Sequence, residues 1–331
     1  MYNIYKLKTK RIREETSMKK VLIGMAALLV SASVYALEVT GNNNHIIEVE
    51  TNNERTTYTS PDGDHLATYD NDGNTTVKYV FLDGAFNFND SGFSLGYHAA
   101  KKKDSGSDDL NILEIYPRYT FESINGWTPG IELGYKTEDE KEVVRVKPSL
   151  NGNIGSVGLY TQFVFEDNLD TSWQLYEFLV KPSYKVNDKL SFGSEFIYAQ
   201  EKLDNGSGKD FDKYLIKPFV NYTINDKWSV WGAVEVVKLN YTDKVGTFEI
   251  IGSTTSSIYD VTFEDHDKLE IKPMVGAAYK LSDNLNVFGE VSYKWAKGDQ
   301  RIINIYNRTD YINEEVKANV PFFKVGLGYN W

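Results

Sequence analysis

From about residue 75 to the last residue, apolar side chains recur at every second position in runs of roughly ten, and polar turn residues break the runs. The final segment, Phe322 to Trp331 (FFKVGLGYNW), shows the pattern most clearly. Phe323, Val325, Leu327, Tyr329 and Trp331 alternate with Lys324, Gly326, Gly328 and Asn330. A period of two places the two sets on opposite faces of a β-strand. Three longer stretches repeat one unit: FLVKPSYKVNDKLSFGSEFIYA from Phe178, YLIKPFVNYTINDKWSVWGAVEVV from Tyr214, and LEIKPMVGAAYKLSDNLNVFGEVSYKWA from Leu269. Each reads as a hairpin, with a strand carrying Lys-Pro, an Asn/Asp/Ser turn, and a strand carrying a glycine and a carboxylate. Looser copies surround Val146-Lys147-Pro148 and Tyr116-Pro117-Arg118.

Tight turns are expected at Asn89-Asp90, Asn125-Gly126, Asn153-Ile154, Asn187-Asp188, Asn225-Asp226 and Asp283-Asn284, and longer polar loops at 59–74, 101–109, 204–211, 242–266 and 297–319. Short turns on one side and long loops on the other are how a transmembrane antiparallel β-barrel is built. Counting back from Trp331 gives thirteen clear strands. Closure with both termini on one side needs an even number, so a fourteenth is placed at His45 to Thr59, with twelve and sixteen as the alternatives. In hydrocarbon a closed sheet is the β solution that pairs every backbone group. Prolines 117, 148, 182, 218 and 273 fall mid-strand, where bulges are expected, with the neighbouring lysine ammonium or water satisfying the orphaned carbonyl.

Assigning the more apolar set of each hairpin to lipid sends Arg118, Lys147, Lys181, Lys217, Lys272 and Lys324 to the interior from alternate strands. The intervening strands send Glu132, Gln162, Glu195, Glu235 and Glu290 the same way. So many inward charges imply a hydrated interior, because burying them dry costs several kcal/mol per ion. Equally, these columns can simply hold the wall together. Trp127, Trp173, Trp228, Tyr198, Tyr241, Trp295 and Trp331 are the candidates for two interfacial aromatic girdles.

Composition changes the picture at the N-terminus. The chain has 331 residues, no cysteine and a mean hydropathy of -0.43, and its one long apolar run follows Met18-Lys19-Lys20 and leads to Val34-Tyr35-Ala36. That is the plan of a secretory signal peptide cut after Ala36. Residues 1–17 are then read as an upstream extension from a start assigned too early, 18–36 as the signal, and 37–331 as a single barrel domain. Residues 1–36 carry seven Lys/Arg and two acids, leaving 29 basic and 45 acidic residues and a mature net charge near -16. Such acidity argues against nucleic acid as a partner.

Candidate chemistry is sparse. His45, His65, His98 and His266 are the only histidines, and none stands in a Ser/His/Asp spacing; His266 between Asp265 and Asp267 is the nearest candidate, so no enzyme is expected. Asp70-Asn71-Asp72-Gly73-Asn74 has the start of a calcium loop, but the twelfth position counted from Thr68 is Tyr79, not Glu. It is read as an exposed turn. Weak divalent binding by Asp62, Asp64, Asp70 and Asp72 is the alternative, and no cofactor or resident metal is expected.

The signal peptide, the hairpin repeats and the terminal FFKVGLGYNW together resemble Gram-negative outer-membrane porins, in particular the fusobacterial-type major outer-membrane proteins and the monomeric fourteen-stranded porins. The resemblance covers the mature chain and is specific at the C-terminal strand. It implies a water-filled channel for passive diffusion of ions and small hydrophilic solutes, outer-membrane lipid and lipopolysaccharide around it, and periplasmic chaperones and barrel-assembly machinery as partners. That machinery would recognise Phe323, Val325, Leu327, Tyr329 and Trp331. A homo-oligomer is an open alternative to a monomer. Trimeric porins fold a long third loop into the pore; here the third loop is only about 138–142. Only 242–266 and 297–319 are long enough to fold inward, and the gate is expected in 242–266, with Glu249, Asp260, Glu264 and Asp265 favouring cations. A surface adhesin or receptor acting through its loops is the alternative function.

Overall fold

The computed structural model describes residues 39–331 apart from 89–90, 106–108, 140, 172, 204–209, 242–243, 252–255 and 305–306. The leader expected at 1–36 lies outside the described residues. Alternation becomes fifteen antiparallel strands: β1 (Val39–Thr59), β2 (His65–Phe88), β3 (Phe93–Asp104), β4 (Leu110–Thr120), β5 (Thr128–Glu138), β6 (Lys141–Ile154), β7 (Val157–Asn168), β8 (Trp173–Lys185), β9 (Leu190–Leu203), β10 (Phe211–Thr223), β11 (Trp228–Tyr241), β12 (Lys244–Ile251), β13 (Ser256–Lys280), β14 (Leu285–Asn304) and β15 (Asn307–Asn330). Neighbours in sequence pair from β1 to β11 and from β12 to β15, β15 pairs with β1, and β11 pairs directly with β13. Fourteen strands thus close a barrel. The fifteenth, β12, pairs alongside the outer part of β13.

The turns explain why the repeats are structural repeats. In the first two copies the Asn side chain accepts two backbone N–H bonds: Asn187 from Lys189 and Leu190, Asn225 from Lys227 and Trp228, all within 2.8–3.0 Å. Such self-capping makes a four-residue reversal without glycine. The third copy substitutes Ser282, whose hydroxyl accepts the Asn284 N–H. Lys185 and Lys280 pair with Asp188 and Asp283 and hold those carboxyls below the usual carboxylate range. Asn125 and Gly126 both take positive φ (51° and 80°), as a two-residue hairpin turn requires. The turn expected at Asn153-Ile154 lies two residues later, at Gly155-Ser156, where Gly155 supplies the positive φ. Residues 89–90 are outside the described set.

The outer face is a continuous apolar belt. Phe178, Phe196, Tyr214, Val234, Ile271, Val291, Phe323 and Leu327 are all exposed, and Val275 is 55% exposed. On the inner face aromatic rings cover glycines of a neighbouring strand: Tyr116 over Gly96, Phe219 over Gly193, Trp231 over Gly276 and Phe288 over Gly326. A Cβ at any of these glycines would overlap the ring, so each glycine is a seat for its neighbour's side chain. The ends of the chain are fastened together. Trp331 and Gly41 exchange two backbone hydrogen bonds of 3.0 and 3.1 Å, and the Trp331 ring covers Gly41 against Phe86.

The loops expected at 59–74 and 297–319 are strand: β1 and β2 are separated only by residues 60–64, and β14 and β15 continue to Asn304 and from Asn307. The expected loop at 242–266 is a hairpin of β12 and the outer part of β13. Polar sequence reads as loop because no face needs burying, yet above the membrane backbone pairing, with ion pairs such as Lys297–Glu315, keeps such strands together. Likewise Asp70 to Asn74 is strand, not turn, and Asp70 is held by Arg55 at 2.6 Å. The fourteenth strand begins at Val39 rather than His45.

The expected proline bulges are also corrected, since no bulge occurs at any of the five. At Pro182 the β7 ladder runs unbroken, and against β9 the pairing skips Lys181 and Pro182 but resumes in the same register. Pro117, Pro148, Pro218 and Pro273 behave identically, each losing rungs only toward the following strand. The adjacent lysines do not serve the orphaned carbonyls; Lys147, Lys181 and Lys217 go to carboxylates. Register shifts lie elsewhere: between Asn52 and Glu54 and between Tyr58 and Thr59 on β1, in the outer parts of β13 and β14, and, within the apolar belt, at Phe81 in β2. There Asn42 and Asn43 accept the N–H groups of Ala85 and Asp83, and side-chain amides stand in for the ladder.

If the belt faces lipid, Val275→Arg or Val180→Arg should destabilise the barrel by about 2–4 kcal/mol, whereas Ser183→Arg on the inner face should be near neutral. Urea unfolding in lipid vesicles distinguishes them; equal losses at all three positions would refute the assignment of faces.

Candidate functional site: the charged inner wall

The inner face carries a belt of opposite charges in neighbouring strands. On β4 to β7 the carboxylate of Glu132, 4% exposed, is the hub. It accepts two bonds from Arg118 and lies 3.3 Å from Lys147 and 3.6 Å from Arg145. Arg145 also meets Glu114 and Glu166, so three cations interleave with three carboxylates. On β8 to β10, Glu195 stands between Lys181 at 2.7 Å and Lys217 at 3.7 Å. On β15, β1 and β2, Glu48 stands between Lys324 at 3.6 Å and Lys78 at 3.8 Å. Glu290 accepts the Trp231 indole N–H at 3.0 Å. Glu235 faces Lys272 in register, but the Lys272 ammonium lies over the Phe322 ring instead.

Strand register shows how this belt stays level. Pairing followed sideways from Lys324 runs through Glu290 to Gly276, and the belt resumes at Lys272, four residues outward on β13. It steps four again from Asn151 to Lys147 on β6, from Ser94 to His98 on β3, and from Gly328 to Lys324 on β15. Tilted strands demand such steps. Four of them in one circuit correspond to a shear of about 16, hence with standard spacings a tilt of ~38° and a backbone radius of ~14 Å.

Of the residues expected inside, Arg118, Glu132, Lys147, Lys181, Glu195, Lys217 and Lys324 are joined in ion pairs, while Gln162, Glu235, Lys272 and Glu290 share the same face without one among the described residues. Sequence reasoning missed Glu48, Lys78, Glu114, Arg145, Glu166 and the Asp83–His98 pair at 3.1 Å. Arg145 was within reach, since it lies two residues from Lys147 and so on the same face. Side chains of Glu249, Asp260, Glu264, Asp265 and His266 lie outside the described residues; their backbones belong to β12 and β13. Among the described residues no three acidic or histidine side chains converge as metal ligands.

Aromatics mark two levels on the outer face. Trp228, Tyr329 and Trp331 are exposed beside the short turns, and Tyr198, Tyr293 and Trp295 are exposed at the other level. Trp127 instead packs over Gly152. Trp173 and Tyr241 are half-buried near the far end. From Leu285 to Trp295 is ten residues, ~26 Å along the axis at the tilt above, which matches a bilayer's apolar band. Beyond Trp295 the same face turns ionic with Lys297, Asp299, Glu315 and Lys317. An apolar belt of that height around a closed sheet is the architecture of an outer-membrane β-barrel.

No protein-family model matches the chain, and no curated protein matches it. Similar folds occur among solved structures. A loop-L8 deletion mutant of OmpT, an outer membrane protein of Vibrio cholerae, is 14% identical, with 86% of this chain and 99% of that chain covered and a TM-score of 0.42. An anion-selective porin from Comamonas acidovorans is 9% identical (88% and 100% covered, TM-score 0.39). The outer membrane protease OmpT of Escherichia coli is 12% identical (89% and 98% covered, TM-score 0.37).

Glu132→Gln would leave Arg118, Arg145 and Lys147 sharing one fewer carboxylate. The expected result is a loss of about 1–3 kcal/mol, read by urea unfolding in vesicles, with Lys185→Gln at the exposed turn within ~0.5 kcal/mol of the parent.

Proposed function

We propose that the protein is an outer-membrane porin, a passive channel for ions and small hydrophilic solutes, exported through its N-terminal signal. One observation carries the reading: the wall is too wide for its own side chains to fill. With a backbone radius of ~14 Å, lysines reaching roughly 6 Å from their Cα leave the centre to water. Among the described residues no segment crosses that space. The charged belt supports it too, because these ions need solvent to offset desolvation. Closed fourteen-stranded sheets fall on the wide, aqueous side of the barrel series. With a mature charge near -16, the channel should be mildly cation-preferring, and its role is transport, not catalysis. The outward set Phe323, Val325, Leu327, Tyr329 and Trp331 supports recognition of the closing strand by assembly machinery.

A second reading has its own observation. Strands β3 to β11 have 11–14 residues, but β1, β2, β13, β14 and β15 have 20–25, so one side of the wall stands well above the apolar belt. Such a wall would suit a surface receptor. Conductance separates the two: purified protein in planar bilayers should give discrete water-filled-pore steps, and silence would favour the receptor.

We assign the β12–β13 hairpin a gating role. Deleting 244–263 leaves the β11–β13 ladder from Asn240–Asp267 inward intact. The variant should keep its step conductance but lose open-closed switching, and a channel with unaltered conductance and noise would refute the assignment.

A further inference from the structure

Two belt lysines differ from the rest. Lys78, Lys147, Lys181, Lys217 and Lys324 each have a carboxylate partner. Lys272 and Lys294 have none among the described residues. The constant β13–β14 register, with Ile271 opposite Trp295 and Met274 opposite Ser292, sets Lys272 directly opposite Lys294 on the inner face. Like charges opposite each other across an antiparallel pair destabilise it. Here the ladder is also interrupted, since the pairing skips Lys272 and Pro273.

A third group completes the arrangement. Ser292 lies two residues from Lys294 on the same face and is 9% exposed, and its hydroxyl is buried with no hydrogen-bond partner. Its cross-strand neighbours, Met274 and Phe322, offer no side-chain oxygen or nitrogen. Buried hydroxyls are normally satisfied, and an orphan beside two unpaired ammoniums breaks two rules at one place. Lys272 rests 4.7 Å from the Phe322 ring centroid, a weaker arrangement than an ion pair with Glu235, which faces it from β11.

The geometry points to a subsite for an anionic group, a carboxylate or a phosphate, held on the channel wall by the Lys272 and Lys294 ammoniums and the Ser292 hydroxyl. Although Glu235 faces Lys272, no acceptor among the described residues bonds any of these three donors, and an oxyanion supplies several acceptor oxygens. An incoming anion would relieve the repulsion between the lysines and satisfy the hydroxyl. The subsite rests on the channel reading and adds solute class to it: an overall cationic bias in the pore with one local station for anions.

The test is block of single-channel current in KCl by citrate and, separately, by inorganic phosphate. The wild type should show saturable block, by citrate if the site takes carboxylates and by phosphate if it takes phosphates. K272Q/K294Q should raise the half-blocking concentration at least about tenfold and S292A about threefold. K217Q/K324Q removes equal charge from two paired lysines and should alter open conductance while shifting block less than about twofold. Block by neither anion, or an equal shift in K217Q/K324Q, overturns the subsite. Heat-modifiable migration on gels checks that each variant folds. If the wild type gives no steps in KCl alone, the porin reading fails by itself. Calorimetric titration of the detergent-solubilised protein then decides the subsite: citrate or phosphate binding lost in K272Q/K294Q upholds it, and no binding to the wild type overturns it.

Discussion

Backbone pairing in hydrocarbon is the constraint from which the other features follow. Lipid offers no hydrogen bonds, so each N–H and C=O must find a partner within the sheet, and the sheet must have no edge. Closure between β1 and β15, fastened by the Trp331–Gly41 exchange, meets that demand. Where the ladder is imperfect, the protein compensates locally. At the Phe81 bulge, Asn42 and Asn43 provide side-chain acceptors. At the prolines the cost is confined to one side of one strand, and register is preserved.

Closure also sets the electrostatics. Fourteen strands with a shear near 16 make a cylinder too wide to be packed, so inward residues need not be apolar, and ionic ones hold neighbouring strands without a dry core. Alternating Lys and Glu on alternate strands gives every carboxylate hub cations on both flanks, as at Glu132, Glu195 and Glu48. The belt is level because charged positions move four residues outward wherever the tilt would carry the pairing downhill. Lys272 and Lys294 depart from this scheme.

Height is the remaining asymmetry. Nine strands are only as long as a tilted crossing needs, whereas five continue beyond the Trp295 level with an outward face of Arg55, Lys297, Glu315 and Lys317. Their pairing persists in water because each is an extension of a strand already registered inside the membrane; entropy for closing those hairpins has largely been met below.

Local features were legible in the sequence. Period-two alternation assigned Lys147, Lys181 and Lys217 to one face and Phe178, Val180 and Phe323 to the other. Asn187-Asp188 and Asn225-Asp226 announced their turns, since side chain and backbone within five residues make them. What depended on distant partners was not legible. Whether HLATYDNDGN and NEEVKANV would pair or stay loops, whether Pro182 would force a bulge, and whether Glu48 would stand between Lys78 and Lys324 were all decided by register between strands far apart in the chain. Alternation tells a residue which way to point, but only closure of the cylinder, with its strand number and shear, settles which residue it meets.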